Sequence, residues 1–286
     1  MKLPALFDAV DQEAGEAQTL FFRLRMVEYL ALAVAAATAE FSVSAFGPAP
    51  VSTLILFSTA LLVRVSGVAE KAERRWYDAR AAAESIKSSA WQFAVGGEAY
   101  RKSDESAADR FKTQLRQMLT GLHALSVPTG SDGAAVTEDM VALRGRNLRE
   151  RSAAYRSGRV ADQLDWYERK TKTNKHLARR WQFALIAVEA AAVLLGLGRA
   201  LGYYDVDWLG VFAASAAGLA AWQQGKKYVE LSEAYAVTSH DVAIVGDSLE
   251  NVANEDEWAQ LVHDAEAAFS REHTLWLARR QGPSVK

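Results

Sequence analysis

The chain has 286 residues, room for two units of domain size, with 33 basic and 35 acidic residues and a formal net charge of −2. That balance argues against a general nucleic-acid binder, and the absence of cysteine excludes disulfides, zinc–thiolate sites and cysteine nucleophiles while fitting a cytosol-facing protein. Half of the residues are hydrophobic, yet mean hydropathy is only −0.09 because very apolar and very charged segments alternate, so the average alone would also suit a soluble helical protein.

The first residues carry Asp8, Asp11, Glu13 and Glu16 behind a single Lys2, which is not the pattern of a cleavable leader, so the first apolar segment is expected to be retained. Met26 to Phe46 and Val51 to Val68 follow as two apolar arms joined by Gly47-Pro48-Ala49-Pro50. Each arm is close to the about 17–25 residues a helix needs to cross a bilayer, and the joint is too short to hold a domain, which predicts a membrane hairpin over about residues 26–68. After it, Ala72, Trp76, Ala79, Ala83, Ile86, Ala90 and Phe93 alternate steps of four and three, the mark of one buried helix face. The stretch Ser126-Val127-Pro128-Thr129-Gly130-Ser131-Asp132-Gly133 divides the chain, and we expect one unit over 1–126 and a second over 127–286.

The second unit repeats the plan of the first. Asn147 to Arg180 is free of proline and holds one glycine, Gly158, which predicts a single long helix entering a second hairpin, Trp181 to Leu201 with Val206 to Trp222. Tyr228, Leu231, Tyr235, Thr238, Val242, Val245, Leu249 and Val252 form another heptad stripe. A last helix opens at Asn254-Glu255-Asp256-Glu257, acidic residues suited to a helix N-terminus, and carries Trp258, Val262, Ala265, Phe269 and Trp276. These stripes suit packing within a bundle or pairing with another chain. The expected fold is therefore an all-α membrane protein: two transmembrane helical hairpins continued by long cytoplasmic helices.

Basic residues orient the spans. Arg23 and Arg25 precede the first arm; Lys71, Arg74, Arg75, Arg80 and Lys87 follow the second; Lys170, Lys172, Lys175, Arg179 and Arg180 precede the third; Lys226 and Lys227 follow the fourth. Positive charge is retained on the cytoplasmic side, so both termini and the long middle segment are expected in the cytoplasm and the spans in the bacterial inner membrane. Trp181, Tyr203, Tyr204, Trp208 and Trp222 lie near the ends of the third and fourth arms, where aromatic rings favour the interface.

Charges inside the arms are the informative exceptions, since an ionised group at the centre of a span costs about 2.5–3.5 kcal/mol and needs a partner or water. Glu28 and Arg64 fall at matching depth near the cytoplasmic ends of arms one and two and are expected to form an ion pair. Glu40 and Glu189 have no basic residue at matching depth; Glu189 lies about 12 Å along the helix from Trp181, near mid-membrane. Such a carboxyl either lines a cation path in an oligomer or sits protonated between helices. Ala31, Ala35 and Ala39, and Gly210, Ala214 and Gly218, form small-residue faces suited to close helix contact within or between protomers.

No glycine-rich phosphate loop, nucleophile elbow or H-E-x-x-H is present. His240-Asp241 and His263-Asp264 are adjacent pairs whose side chains diverge on a helix, so neither metal binding nor acid–base work is expected, nor any cofactor. Glu272 and His273 read as residues that cap or pack a cytoplasmic bundle.

Asp162-Gln163-Leu164-Asp165-Trp166-Tyr167-Glu168-Arg169-Lys170, leading through Asn174 and the basic cluster into a span, resembles the SLATT family, the SMODS- and SLOG-associating two-transmembrane effector domains of bacteria. The ending Ala265 to Arg279, with Ser270-Arg271-Glu272-His273-Thr274-Leu275-Trp276, resembles the closing motif of one SLATT subfamily. Trp76-Tyr77-Asp78-Ala79-Arg80, Glu84-Ser85-Ile86-Lys87 and Trp91-Gln92-Phe93-Ala94-Val95-Gly96-Gly97 resemble a second, divergent one. The resemblance covers nearly the whole chain as a tandem pair. It implies a membrane effector of conflict or antiphage systems that perforates or depolarises the membrane when a separate nucleotide-dependent sensor protein fires. It implies no catalytic residues. The expected partners are the lipid bilayer, further copies of the chain as a homo-oligomer, and that sensor. The competing function is a non-conducting membrane scaffold that recruits partners through its cytoplasmic helices; an enzyme is not expected.

Overall fold

The computed structural model describes residues 1–40, 47–121, 134–204, 208–250 and 252–281, apart from the side chains of Glu40, Gly121 and 270–281. The proposed divider Ser126 to Gly133, the side chain of Glu40, and those of Glu272, His273 and Trp276 therefore lie outside the described residues.

All regular structure among the described residues is helical: α1 Ala5–Glu40, α2 Pro48–Val65, α3 Val68–Val95, a 3-10 turn Glu98–Tyr100, α4 Ala107–Gly121, α5 Glu138–Gly145, α6 Leu148–Tyr155, a π turn Arg156–Val160, α7 Ala161–Ala200, α8 Leu209–Lys226, α9 Tyr228–Ser248 and α10 Glu255–Gln281. Pro48 and Pro50, read from sequence as a joint, sit in the first turn of α2, where the missing amide hydrogens bond nothing in a helix anyway. Gly67, with φ +64°, breaks the path between α2 and α3, and Lys227, with φ 51°, does the same between α8 and α9. α6 starts at a capping box in which Asn147 and Glu150 each bond the other's backbone amide.

The helices fall into two compact units. One comprises Met1–Ala17, Arg74–Thr171 and Glu233–Lys286; the other comprises Gln18–Glu73 and Lys172–Ser232. The first is a packed helical unit whose core takes in much of the predicted stripes: Ala79, Ala83, Ile86, Ala90 and Phe93 of α3, Val242 of α9 with Leu249 just beyond its end, and Trp258, Val262, Ala265 and Phe269 of α10 are all buried. Those faces are thus used within the chain. Tyr155 stands between Trp91 and Trp258, with ring centroids 5.9 and 5.8 Å away.

The C-terminus of α3 organises this unit. Gly96, with φ +78°, ends the helix, and the Gly97 amide donates back to the Gln92 carbonyl, the closure that a left-handed glycine makes possible. The carbonyls left over are capped from elsewhere: Arg144 donates to Phe93, while Arg151 and the Trp258 indole donate to Val95. A Cβ on Gly96 would stand 2.7 Å from Arg151 Nη1. Cations and an indole thus meet the negative end of the helix, so α5, α6 and α10 are tied to one point.

In the second unit, two helices have both the length and the hydropathy of a membrane span: α2, at mean hydropathy 1.6, and an 18-residue stretch of the continuous run Leu148–Ala200, at 1.8. An apolar helix in a soluble core would be covered by its own protein, but 6% of the first window and 0% of the second are buried. Leu54, Leu62, Phe183, Val193 and Leu194 are among the exposed side chains. The other two predicted arms do not meet that criterion among the described residues. α8 ends in Gln223, Gln224, Gly225 and Lys226, and α1 keeps Arg23, Arg25, Glu28 and Glu40 in its second half.

Candidate functional site

Three pairings set the register of the apolar unit. Thr38 Oγ1 lies 2.8 Å from Thr53 Oγ1, and Arg64 bonds Glu28. The residue numbers of each pair sum to nearly the same value, as they must when α1 and α2 run antiparallel, and that register sets buried Ala31 opposite buried Ala60. α7 and α8 are antiparallel by the same test: Gln223 donates to the Trp181 carbonyl at 3.3 Å, and a Cβ on Gly196 would meet Leu209 at 3.1 Å. α1 and α8 also run antiparallel, since Phe22 meets the Trp222 ring at 5.9 Å and Gly218 faces Tyr29 at 4.0 Å. The Arg25-bearing part of α1 and the Lys226 end of α8 accordingly lie at the same end of the unit.

Glu28 is 1% exposed and carries the charge network at that end. Arg64 Nε and Nη2 donate to Glu28 Oε1 at 2.8 and 2.5 Å, Arg25 Nη1 donates to Glu28 Oε2 at 3.0 Å, and Arg25 Nη2 reaches Glu70 at 3.0 Å. One buried carboxylate thus ties α1 to α2 while its arginine neighbour reaches α3. Arginine is suited to this, because its guanidinium keeps its charge and presents neighbouring N–H donors that can both reach one carboxylate oxygen. Nearby, Lys226 Nζ sits 3.1 Å from the centroid of the Phe22 ring and 5.0 Å from that of Trp222.

The remaining residues singled out by sequence are not brought together. Glu189 is exposed on α7, on the face that also exposes Ile186, Val193 and Leu197, and no ion pair reaches it among the described residues. Gly210 is exposed, and a Cβ there would meet nothing within 4 Å; Ala214 is half-buried; of the two glycines in that series, Gly218 is the one that meets another helix. Among the described glycines of this unit, those in tightest contact are Gly196 and Gly198, the latter with Tyr204 at 3.0 Å from a Cβ position.

A second cluster, in the packed unit, was missed by sequence reading. Arg159 and Glu266 are each 1% exposed and form a two-pronged pair at 2.9 and 2.7 Å, Tyr155 donates to Glu266 at 2.8 Å, and the guanidinium lies 5.0 Å from the Phe269 centroid. Burial alone would weaken the hold of Arg159 on its proton, but the Glu266 carboxylate more than offsets it and holds the group above its ordinary range. Burial, reinforced by the same carboxylate, pushes the Tyr155 hydroxyl well up. The available signal was spacing: Arg151, Tyr155 and Arg159 recur every fourth residue, so two arginines share the face of a core tyrosine.

Compared with known families, residues 155–276 match SMODS and SLOG-associating 2TM effector domain 1, and residues 4–152 match SMODS and SLOG-associating 2TM effector domain 3. No curated protein and no solved structure matches the chain significantly.

Proposed function

The chain belongs to the SLATT family of SMODS and SLOG-associating 2TM effectors, with two such domains in tandem, and on that premise we propose that it is a membrane effector of bacterial conflict or antiphage defence. It rests in the inner membrane as two helical hairpins with both termini in the cytoplasm, and a separate nucleotide-dependent sensor protein triggers it to permeabilise or depolarise the bilayer. It acts without catalysis and without nucleic acid.

The observation that carries this reading is the pair of span-length apolar windows in which almost no residue is buried by the rest of the described chain. The antiparallel contacts of α1 with α2 and α8, and of α7 with α8, support hairpins entered from one side. α8 and the second half of α1 complete them, packed against more apolar neighbours. Glu189 supports assembly: a carboxyl in the middle of an exposed apolar face is costly in lipid, and further copies of the chain would cover it or let it line a cation path. Glu40 is the counterpart in the first hairpin.

A non-conducting scaffold is the second reading. It draws on Val229, Val237 and Ile244, which α9 leaves exposed although its heptad stripe is used internally. Purified protein in liposomes separates the two: an effector releases a trapped dye or collapses a potassium diffusion potential on activation, while a scaffold leaves both intact and still binds its partner.

A further inference from the structure

α6, the π turn and α7 form one continuous helical run, and the turn solves a phase problem in it. Arg151, Tyr155, Gln163, Tyr167 and Asn174 are all buried, yet Tyr155 and Gln163 are eight residues apart where a stripe with heptad phase requires seven. At about 100° per residue, an uninterrupted α-helix would swing Gln163 about 80° away from Tyr155. The extra residue is absorbed between Arg156 and Val160, where the Ala161 amide donates to the Arg156 carbonyl five positions back. Both Arg159 and Val160 are buried as a result, and Gly158 makes room for Trp91, which a Cβ would meet at 3.1 Å.

We infer that this π turn is a register switch, held by the clasp of Tyr155 and Arg159 on Glu266, and that its relaxation to α-helix turns α7 about its own axis and regulates the effector activity proposed above. The inference rests on that activity only for its consequence. Converting the turn with every residue retained would rotate α7 by about 100° and lengthen the run by about 1.5 Å. Glu189 would then face a new direction. The resting state is the costlier local geometry: Arg159 Nη1 is buried without a hydrogen-bond partner among the described residues, in a helix type seen mostly as single turns at functional sites. Such a turn persists only where its surroundings hold it, and here one carboxylate does so.

The rotation moves each residue of α7 into the place of its successor. Asn174, buried, would take the exposed position of Lys175, and Thr173, exposed, would take the buried position of Asn174. Because the chain has no cysteine, Thr173→Cys and Asn174→Cys report this directly by maleimide labelling of the full chain in liposomes. With the clasp intact, position 173 labels and position 174 is protected. In Glu266→Gln the order should reverse, with labelling at 174 rising by about an order of magnitude. Deleting Ser157 removes the extra residue and should restore protection of 174 even with Glu266→Gln. If Glu266→Gln does not fold, Arg159→Met with Glu266→Leu releases the clasp without leaving a buried charge and is read in the same way. An unchanged pattern in the release variants, or a reversal that persists after Ser157 is deleted, overturns the switch. A reversal with no change in dye leakage leaves the switch standing and counts against the effector reading instead.

Discussion

Arg159 and Glu266 illustrate why a buried ion pair is better judged by its removal than by its presence. Taking one partner away leaves the other charged in the core, at a cost of about 3–5 kcal/mol, whereas replacing both with apolar groups of similar size is often neutral. We therefore expect Arg159→Ala to lower the midpoint of thermal unfolding in detergent far more than Arg159→Met combined with Glu266→Leu; equal losses would mean the pair is not buried. Tyr155 adds a pH dependence. Its folded hydroxyl holds its proton well above the ordinary value of 10.0, so the unfolded chain releases that proton first. The corresponding stability is fully present below about pH 10 and is lost as pH rises above it. Tyr155→Phe should lose less stability than wild type between about pH 8 and pH 11 in the same unfolding measurement, a residual slope remaining because burial raises Tyr100 as well. Glu189 is tested by its charge: Glu189→Gln should lower or alter cation leakage while leaving membrane insertion unchanged, and leakage identical in Glu189→Gln and Glu189→Leu would make the residue a bystander.

At the scale of elements, the small-residue series on α8 separates into two roles. Gly218 faces Tyr29 across the α1–α8 contact at a distance where an added methyl makes ordinary contact, so Gly218→Ala should be tolerated and Gly218→Leu should push the two helices apart. Gly210 faces open space, so Gly210→Leu should leave the protomer's melting temperature unchanged. If α8 also packs between copies, only Gly210→Leu should weaken self-association at preserved stability, as read by crosslinking in membranes. The stripes of α3, α9 and α10 were legible because a buried helix face leaves a 3–4 spacing in the sequence, and these faces are buried inside the chain. The π turn was not legible as such. The same spacing rule reads Asn147 to Arg180 as one uninterrupted helix, and Gly158 signals only that something small is needed there.

For the molecule as a whole, the critical expectation is integral membrane association with both ends inside. Alkaline carbonate should leave the protein in the membrane pellet, and a C-terminal reporter should be active only in the cytoplasm. Extraction by carbonate, or a reporter active outside, would remove the basis for hairpins entered from the cytoplasm. The two span-length windows of α2 and α7 are the firmest physical support for that expectation, because their exposed apolar faces require a covering that the described residues do not supply.

Local pattern in the chain was enough to establish helix class, the position of two of the four apolar arms, many inward-facing residues of the heptad stripes and the resemblance to a tandem pair of SLATT domains. These are carried by neighbours in the chain, through periodicity, composition and contiguous motifs. It also put Glu28 and Arg64 at one depth, because two helices joined by a short turn must run back along each other. Which polar groups meet from afar was settled by tertiary packing alone: Arg25 reaching Glu70, Arg144 and Arg151 capping α3, and Arg159 and Tyr155 closing on Glu266, 107 and 111 positions away. No local pattern encodes such pairs, since a charged residue on a helix face reads as solvated until another helix covers it.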